Sequence, residues 1–393
     1  MTATSPFALT RRGLVGAGIA ATFLGAPAFA AAPAGRKFVM IVARGGLDGL
    51  SLAAPVGDPD YARLRGAIAL PADAVLRLDD TFGLHPKLPT LHRLAQAGQA
   101  RIAPAVAIPE RIRSHFEAQD LLESGGARLY AAKDGWLNRA LAAGGGTRLK
   151  ALSVGAQTPL ILRGRNEAAS WSPGGAAPAP SDRVTTLLQD LYAADPLLGP
   201  AFASGLRTEA MASQVTAGET PKPADVQGFA TAAARFLTAP DGPQIAVLSL
   251  DGFDTHANQG GVEGQLANRL KILDQVLAGL ESGLGPAWTD TVVVIATEFG
   301  RTARINGTGG LDHGTASTLV VAGGAVKPGG LIGDWPGLAE NRLFENRDLA
   351  PTLDMRAVFK AVLTDHLGLD RRAVETTVFP DSAAVRPVAG LVA

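Results

Sequence analysis

The side chains with chemistry to offer fall into a few short clusters. Asp254-Thr255-His256 sets a carboxylate and an imidazole two positions apart, and Asp312-His313-Gly314 sets a second such pair side by side. Glu298 adds a carboxylate directly after the apolar run 291–297. Mixed nitrogen and oxygen donors suit zinc, manganese or iron better than calcium, which takes all-oxygen shells. Asp48 is a further candidate ligand, within the glycine-rich stretch 44–50 (RGGLDGL). Glycines there let the backbone turn sharply and approach a ligand, while Arg44 or the loop amides could face an anion. Ser114 lies between Arg113 and His115 at the head of an expected helix. It reads as an N-cap that completes a capping box with Glu117. It reads equally as a nucleophile or ligand of an anionic ester in the positive field of a helix start. Arg113 and Arg301 join Arg44 as cations able to neutralise the transferred group. The plainer alternative makes the acidic residues structural ion pairs and turn formers.

These clusters need elements to position them. The runs 37–43 (KFVMIVA), 245–250 (IAVLSL) and 291–297 (TVVVIAT) are apolar throughout, as parallel strands covered on both faces must be. Each leads into one of the polar clusters, and ligands of parallel sheets gather outside the carboxyl ends of the strands. Further strands are expected at 101–107 and 318–322, with weaker candidates at 149–154 and 160–162. Helical spacing of Leu266, Leu270, Leu273, Leu277 and Leu280 marks 262–284 as the longest helix, a crossover between the two central strands. Shorter helices are expected at 88–98, near 182–194, 206–214 and 223–238, and at 348–363 with Pro351 in its first turn. Residues 164–181 read as an exposed loop and 219–223 as a break, so 164–240 is taken as a helical insertion or cap. His85, His92 and His366 read as structural.

Composition limits the function classes. Of 393 residues, 47% are hydrophobic and 18% charged, enough for one large α/β domain or two smaller ones. Lys+Arg and Asp+Glu both number 36, which gives no nucleic-acid footprint. The absence of cysteine excludes thiolate nucleophiles, thiolate ligands and disulfides. Thr10-Arg11-Arg12-Gly13-Leu14-Val15 leads into a weakly apolar run ending in Ala28-Phe29-Ala30. This is the pattern of a twin-arginine signal with its cleavage site, spanning residues 1–30. It predicts recognition by the twin-arginine export machinery and a periplasmic or secreted protein, exported folded.

Taken together, 44–50 (RGGLDGL), 113–120 (RSHFEAQD), 251–256 (DGFDTH), 297–302 (TEFGRT), 311–314 (LDHG), 333–338 (GDWPGL) and Arg347-Asp348 resemble the domain-of-unknown-function 1501 family, DUF1501. The resemblance covers nearly the whole mature chain, in order. That family is similar to the alkaline phosphatase superfamily, with its sulfatases and phosphate-ester hydrolases. It implies a three-layer alkaline phosphatase-like fold, a mostly parallel central sheet flanked by helices, as a single domain over 37–385. It further implies divalent metals at the strand ends, with Asp48, Asp254, His256 and His313 at ligand positions and Ser114 near the nucleophile. Where the superfamily carries a late Asp-His-Gly motif, this chain has Glu298-Phe299-Gly300. A histidine ligand is lost there, and Glu298 and Asp312 could restore a shell of carboxylates. The expected activity is metal-dependent hydrolysis of phosphate or sulfate esters. A sulfatase needs an oxidised Cys or Ser and no Cys exists, so phosphate esters are preferred. The alternative is a catalytically degenerate envelope protein that binds a glycan or a partner protein. A lone-serine esterase is disfavoured, because no G-x-S-x-G elbow is present.

Overall fold

The structure, a computed structural model, describes residues 35–145, 149–155, 157–172, 182–196, 198–216 and 225–393. The expected signal at 1–30, part of the loop 164–181 and the break at 219–223 lie outside the described residues.

The apolar runs become the middle of an eight-stranded sheet. Its strands are β1 (Lys37–Ala43), β2 (Ala100–Ala107), β3 (Ala151–Val154), β4 (Ala169–Trp171), β5 (Ile245–Leu250), β6 (Thr291–Ala296), β7 (Ser317–Ala322) and β8 (Leu353–Asp354). Their order across the sheet is β8-β2-β7-β6-β1-β5-β3-β4. Every pairing is parallel except the two made by β7, which runs against β6 and β2. The expected mixed, mostly parallel sheet between helices is the observed one.

Alternation along β1 shows the layers. Phe38, Met40 and Val42 enter one core with Trp136, Phe359 and Phe379. Val39, Ile41 and Ala43 enter the opposite core with Leu91, Leu266, Leu273 and Leu280. The first face is covered by α2 (His115–Ser124), α3 (Trp136–Ala143) and α8 (Arg356–Ala361). The second is covered by α1 (Pro89–Gln96), α6 (Val226–Thr238) and α7 (Gln265–Leu284), with α5 (Leu198–Val215) packed against β4 and α4 (Asp182–Tyr192) against α5. The five leucines expected to line α7 are all buried. No described helix is long and apolar enough to cross a membrane.

Three sequence expectations change. Leu160–Leu162 is a 3-10 turn after Pro159 rather than a strand. Ala169–Trp171, inside the stretch read as a helical insertion, pairs with β3 as the edge strand. The helix expected at 348–363 begins at Arg356, because Leu353 and Asp354 pair with Val106 and Ala107, and Asp354 Oδ1 accepts the Arg356 amide at 2.9 Å. Pro351 therefore precedes the strand, not the helix.

Candidate metal centre

Parallel strands β1, β2, β5 and β6 deliver their following loops to one edge of the sheet. Because β7 runs the other way, the residues that precede it arrive at that same edge. His313 thus meets Asp254, which follows β5, and His115, at the start of α2 beyond β2.

Nδ1 of His115 lies 2.8 Å from Glu298 Oε1. Glu298 is buried; burial raises its pKa, but the bonds from His115, the Gly45 amide and Thr297 overcome this and hold it low. A carboxylate held ionised only accepts, so His115 Nδ1 donates and Nε2 is left without a proton. Nε2 of His115 is buried with no hydrogen-bond partner, and it lies 3.4 Å from Asp254 Oδ2. In the same way Nδ1 of His313 donates to the Arg113 carbonyl at 2.7 Å, which leaves its Nε2 3.3 Å from Asp254 Oδ1. His256 Nε2 stands 2.9 Å from His313 Nε2 and 3.1 Å from Asp254 Oδ1. Two imidazole nitrogens so close need a proton or a cation between them.

The hydrogen bond that His115 donates to Glu298 raises the pKa of His115 against the opposing effect of burial. Burial lowers that of His313. Burial also pushes Asp254 upward, but the Arg301 guanidinium, with His256 and His115, brings it below the usual carboxylate range. Among the described residues, His115, Asp254 and His313 form the group whose donor atoms fall within 4.8 Å of one another. Donors on a tetrahedral ion at about 2.0–2.1 Å stand about 3.3 Å apart, and the two histidine nitrogens stand 3.4 and 3.3 Å from the two oxygens of Asp254. An orphaned buried Nε2, fixed tautomers and a neighbouring carboxylate therefore fit a divalent transition metal.

The remaining predicted residues surround this cluster or stand away from it. Asp312 Oδ1 is 3.5 Å from His256 Nδ1 and also accepts from Asn306. Glu298 acts on His115 and does not itself join the cluster. Arg301 is buried and fully occupied: it donates to the Gly46 carbonyl at 2.7 Å, the Leu311 and Phe253 carbonyls at 3.2 Å, and to Gly45 O and Asp254. Arg113 is bound to Asp348 and Glu345. Arg44 bonds Glu123 and Gln119 but keeps 22% of its side chain exposed. Asp48 is outside the cluster, buried against Arg65 and accepting from Gln259 Nε2 at 2.8 Å. Asp48, for which the resemblance implied a metal role, is placed as the partner of the Arg65 guanidinium. Of the loop amides, offered with Arg44 as groups that could face an anion, Gly45 donates to the Glu298 carboxylate and Leu47 to Thr297 Oγ1, both just after β6.

Gly46, at φ +65°, is required by this packing, since a Cβ there would lie 2.5 Å from the Phe299 ring. Phe299 in turn lies 4.8 Å, centroid to centroid, from both His115 and His313. It walls the cluster where the resemblance expected a ligand. Ser114 is the N-cap of α2 as expected, yet its side chain makes no capping bond.

A family model described as "Protein of unknown function (DUF1501)" matches residues 36–378. The chain belongs to the DUF1501 family. No curated protein is similar enough to count as a match. Among solved structures, this DUF1501 chain is similar to the C-terminal periplasmic domain of EcEptC from Escherichia coli in complex with Zn, at 10% identity, with 88% of this chain and 87% of that one covered and a TM-score of 0.41. It is also similar to Ps i-CgsB in complex with a neocarrahexaose, at 10% identity, 90% and 77% coverage and a TM-score of 0.44. A third is the phosphonate monoester hydrolase of Agrobacterium radiobacter, at 15% identity, 85% and 74% coverage and a TM-score of 0.38.

Sequence reasoning treated His115 as a neighbour of Ser114 and missed it as a donor. The available signal was an imidazole at the first position of a helix that follows a strand end. His85 and His366 are buried and bond backbone carbonyls, of Gly261 at 3.0 Å and Lys37 at 2.9 Å, while His92 bonds the Arg77 carbonyl at the surface. All three lie apart from the cluster.

Proposed function

We propose that this protein is an exported, metal-dependent hydrolase of phosphate esters, with sulfate esters as the second substrate class. The observation that carries the reading is the buried, partnerless Nε2 of His115, directed at Asp254 beside His313. His115, Asp254 and His313 would hold the ion, with His256 as a fourth donor, and zinc, manganese or iron suit that set. A divalent ion there supplies Lewis-acid polarisation of an ester oxygen and acidifies a bound water or hydroxyl.

The chain's own residues prepare the site. Glu298 and the Arg113 carbonyl fix the tautomers of His115 and His313. Arg301 anchors Asp254 and the turn at Gly45 and Gly46. The Ser114 hydroxyl, unused as a cap and next to His115, is the side-chain nucleophile this reading assigns. Arg44, Arg113 and Arg301 are all paired with carboxylates, and Arg44, with 22% of its side chain exposed beside the cleft, is the cation this reading assigns to the ester's negative charge. The twin-arginine pattern supports export in the folded state, with the ion loaded beforehand.

Protein purified from its native host tests the proposal by metal content and by hydrolysis of generic phosphate and sulfate monoesters. Hydrolysis lost in Asp254→Ala is the expected result. Metal-free protein, inert on every ester and indifferent to Asp254→Ala, contradicts it. A second reading, a catalytically degenerate envelope protein that binds a glycan or partner, is favoured by one observation: Phe299 fills the space beside both histidines. Bound metal without hydrolysis of any ester, together with recovery of a periplasmic partner or glycan, would support that reading instead.

A further inference from the structure

A cleft of about 900 Å³ opens beside the metal donors, between α2 and the ends of β3 and β5. Its lining includes Arg44, Phe116, Gln119, Tyr130, Arg163 and Asp251. Gln119 on its lining is hydrogen-bonded towards the site: its Oε1 accepts from Arg44 at 2.7 Å and its Nε2 donates to Glu298 at 3.3 Å.

Two features of this cleft are unusual for a protein surface. Phe116, next to His115, leaves 87% of its residue surface exposed, and Tyr130 leaves 65%. The other large exposed apolar side chains among the described residues all belong to the segment 184–198. Tyr130 also sits at φ +56°, a conformation that bulky residues rarely adopt, and its amide is held by Asp120 Oδ2 at 3.1 Å. A backbone held in that way presents the ring to solvent above a polar floor.

We infer that this cleft binds the saccharide portion of the substrate, with sugar rings lying on Phe116 and Tyr130 and hydroxyls meeting the polar floor. A pyranose has an apolar C–H face and a polar rim, and an exposed aromatic face over planar polar groups complements both. Arg44 is paired with Glu123, so the charges left on the lining, Asp120 and Asp251 against Arg163, do not favour a polyanion. The inference rests on the hydrolase reading only for placing an ester of that saccharide at the metal donors.

The test is calorimetric titration of the full chain with neutral tetrasaccharides (cellotetraose, maltotetraose and chitotetraose) and with their monosaccharides. At least one tetrasaccharide should bind about tenfold tighter than its monosaccharide, and Phe116→Ala and Tyr130→Ala should each weaken it by about three- to tenfold. Chelation of metal should leave this binding unchanged. Binding by no tetrasaccharide, or binding that both variants leave intact, overturns the assignment. So does Phe116→Ala converting an oligomer to a smaller species, which would make the rings a protein interface. Saccharide binding without ester hydrolysis refutes the hydrolase reading and upholds the cleft; hydrolysis of small esters without saccharide binding does the reverse.

Discussion

Removing Arg65 tests whether Asp48 belongs to a buried ion pair rather than to the metal centre. Neither side chain of the pair is appreciably exposed. The guanidinium also donates to Ser51 Oγ at 3.0 Å, while Gln259 is the other donor to Asp48. In Arg65→Met the carboxylate keeps the Gln259 bond but loses its only cation in this contact. Breaking a buried pair from one side costs about 3–5 kcal/mol, most of it the uncompensated charge left behind. That is a large share of the roughly 5–15 kcal/mol that keeps a domain folded, so the variant folds but unfolds at much lower urea. Adding Asp48→Asn removes the stranded charge and keeps an acceptor for Gln259. The double variant should therefore be more stable than Arg65→Met alone, and its loss should fall short of the sum of the two single losses by at least about 1 kcal/mol, as expected of residues in contact. Urea midpoints of the parent, both single variants and the double variant give the cycle. Metal content, measured on the same samples, should not change in Asp48→Asn. A loss below about 1 kcal/mol in Arg65→Met, or additive losses in the double variant, would refute the pair. Loss of metal from Asp48→Asn would return Asp48 to the centre.

Other outcomes follow from the same geometry. Glu298→Gln removes the carboxylate that orients His115, and metal affinity should fall about 10- to 100-fold in competition with a chelator. Unchanged affinity would mean His115 does not depend on Glu298. His366 is buried against the Lys37 carbonyl, and burial lowers its pKa, so the unfolded chain binds the proton more readily. Its stabilisation is full above the unfolded value of about 6.5 and is lost as pH falls from there through the folded value. His366→Gln should flatten that acid-side slope in urea unfolding measured across the same pH range; an unaltered slope would contradict the assignment.

The central strands were legible because a strand covered on both faces leaves a continuous apolar run. β1 and β5 fall where those runs do, and β6 stops one residue before Thr297. Short elements were not legible. Leu160–Leu162 has too few residues to show a period, and nothing local says that Leu353 pairs with Val106. The direction of β7 is a property of the whole sheet, yet it is what brings His313 to Asp254. The Asp254, His256 and His313 positions could be read from donor types beside strand ends. His115 could not, since its role depends on Glu298 holding one ring nitrogen so that the other faces inward. Arg65 stands 17 positions from Asp48 and belongs to no motif, so a carboxylate that looks like a ligand in sequence proves to be neutralised in space.

The most direct measurement is elemental analysis of the protein purified from its native host, beside His115→Ala and His313→Ala. The geometry predicts about one transition-metal equivalent per chain, since one such donor cluster exists among the described residues. Both variants should be folded by circular dichroism and depleted of metal. A metal-free parent, or variants that retain the parent's metal, would contradict a centre built on these histidines.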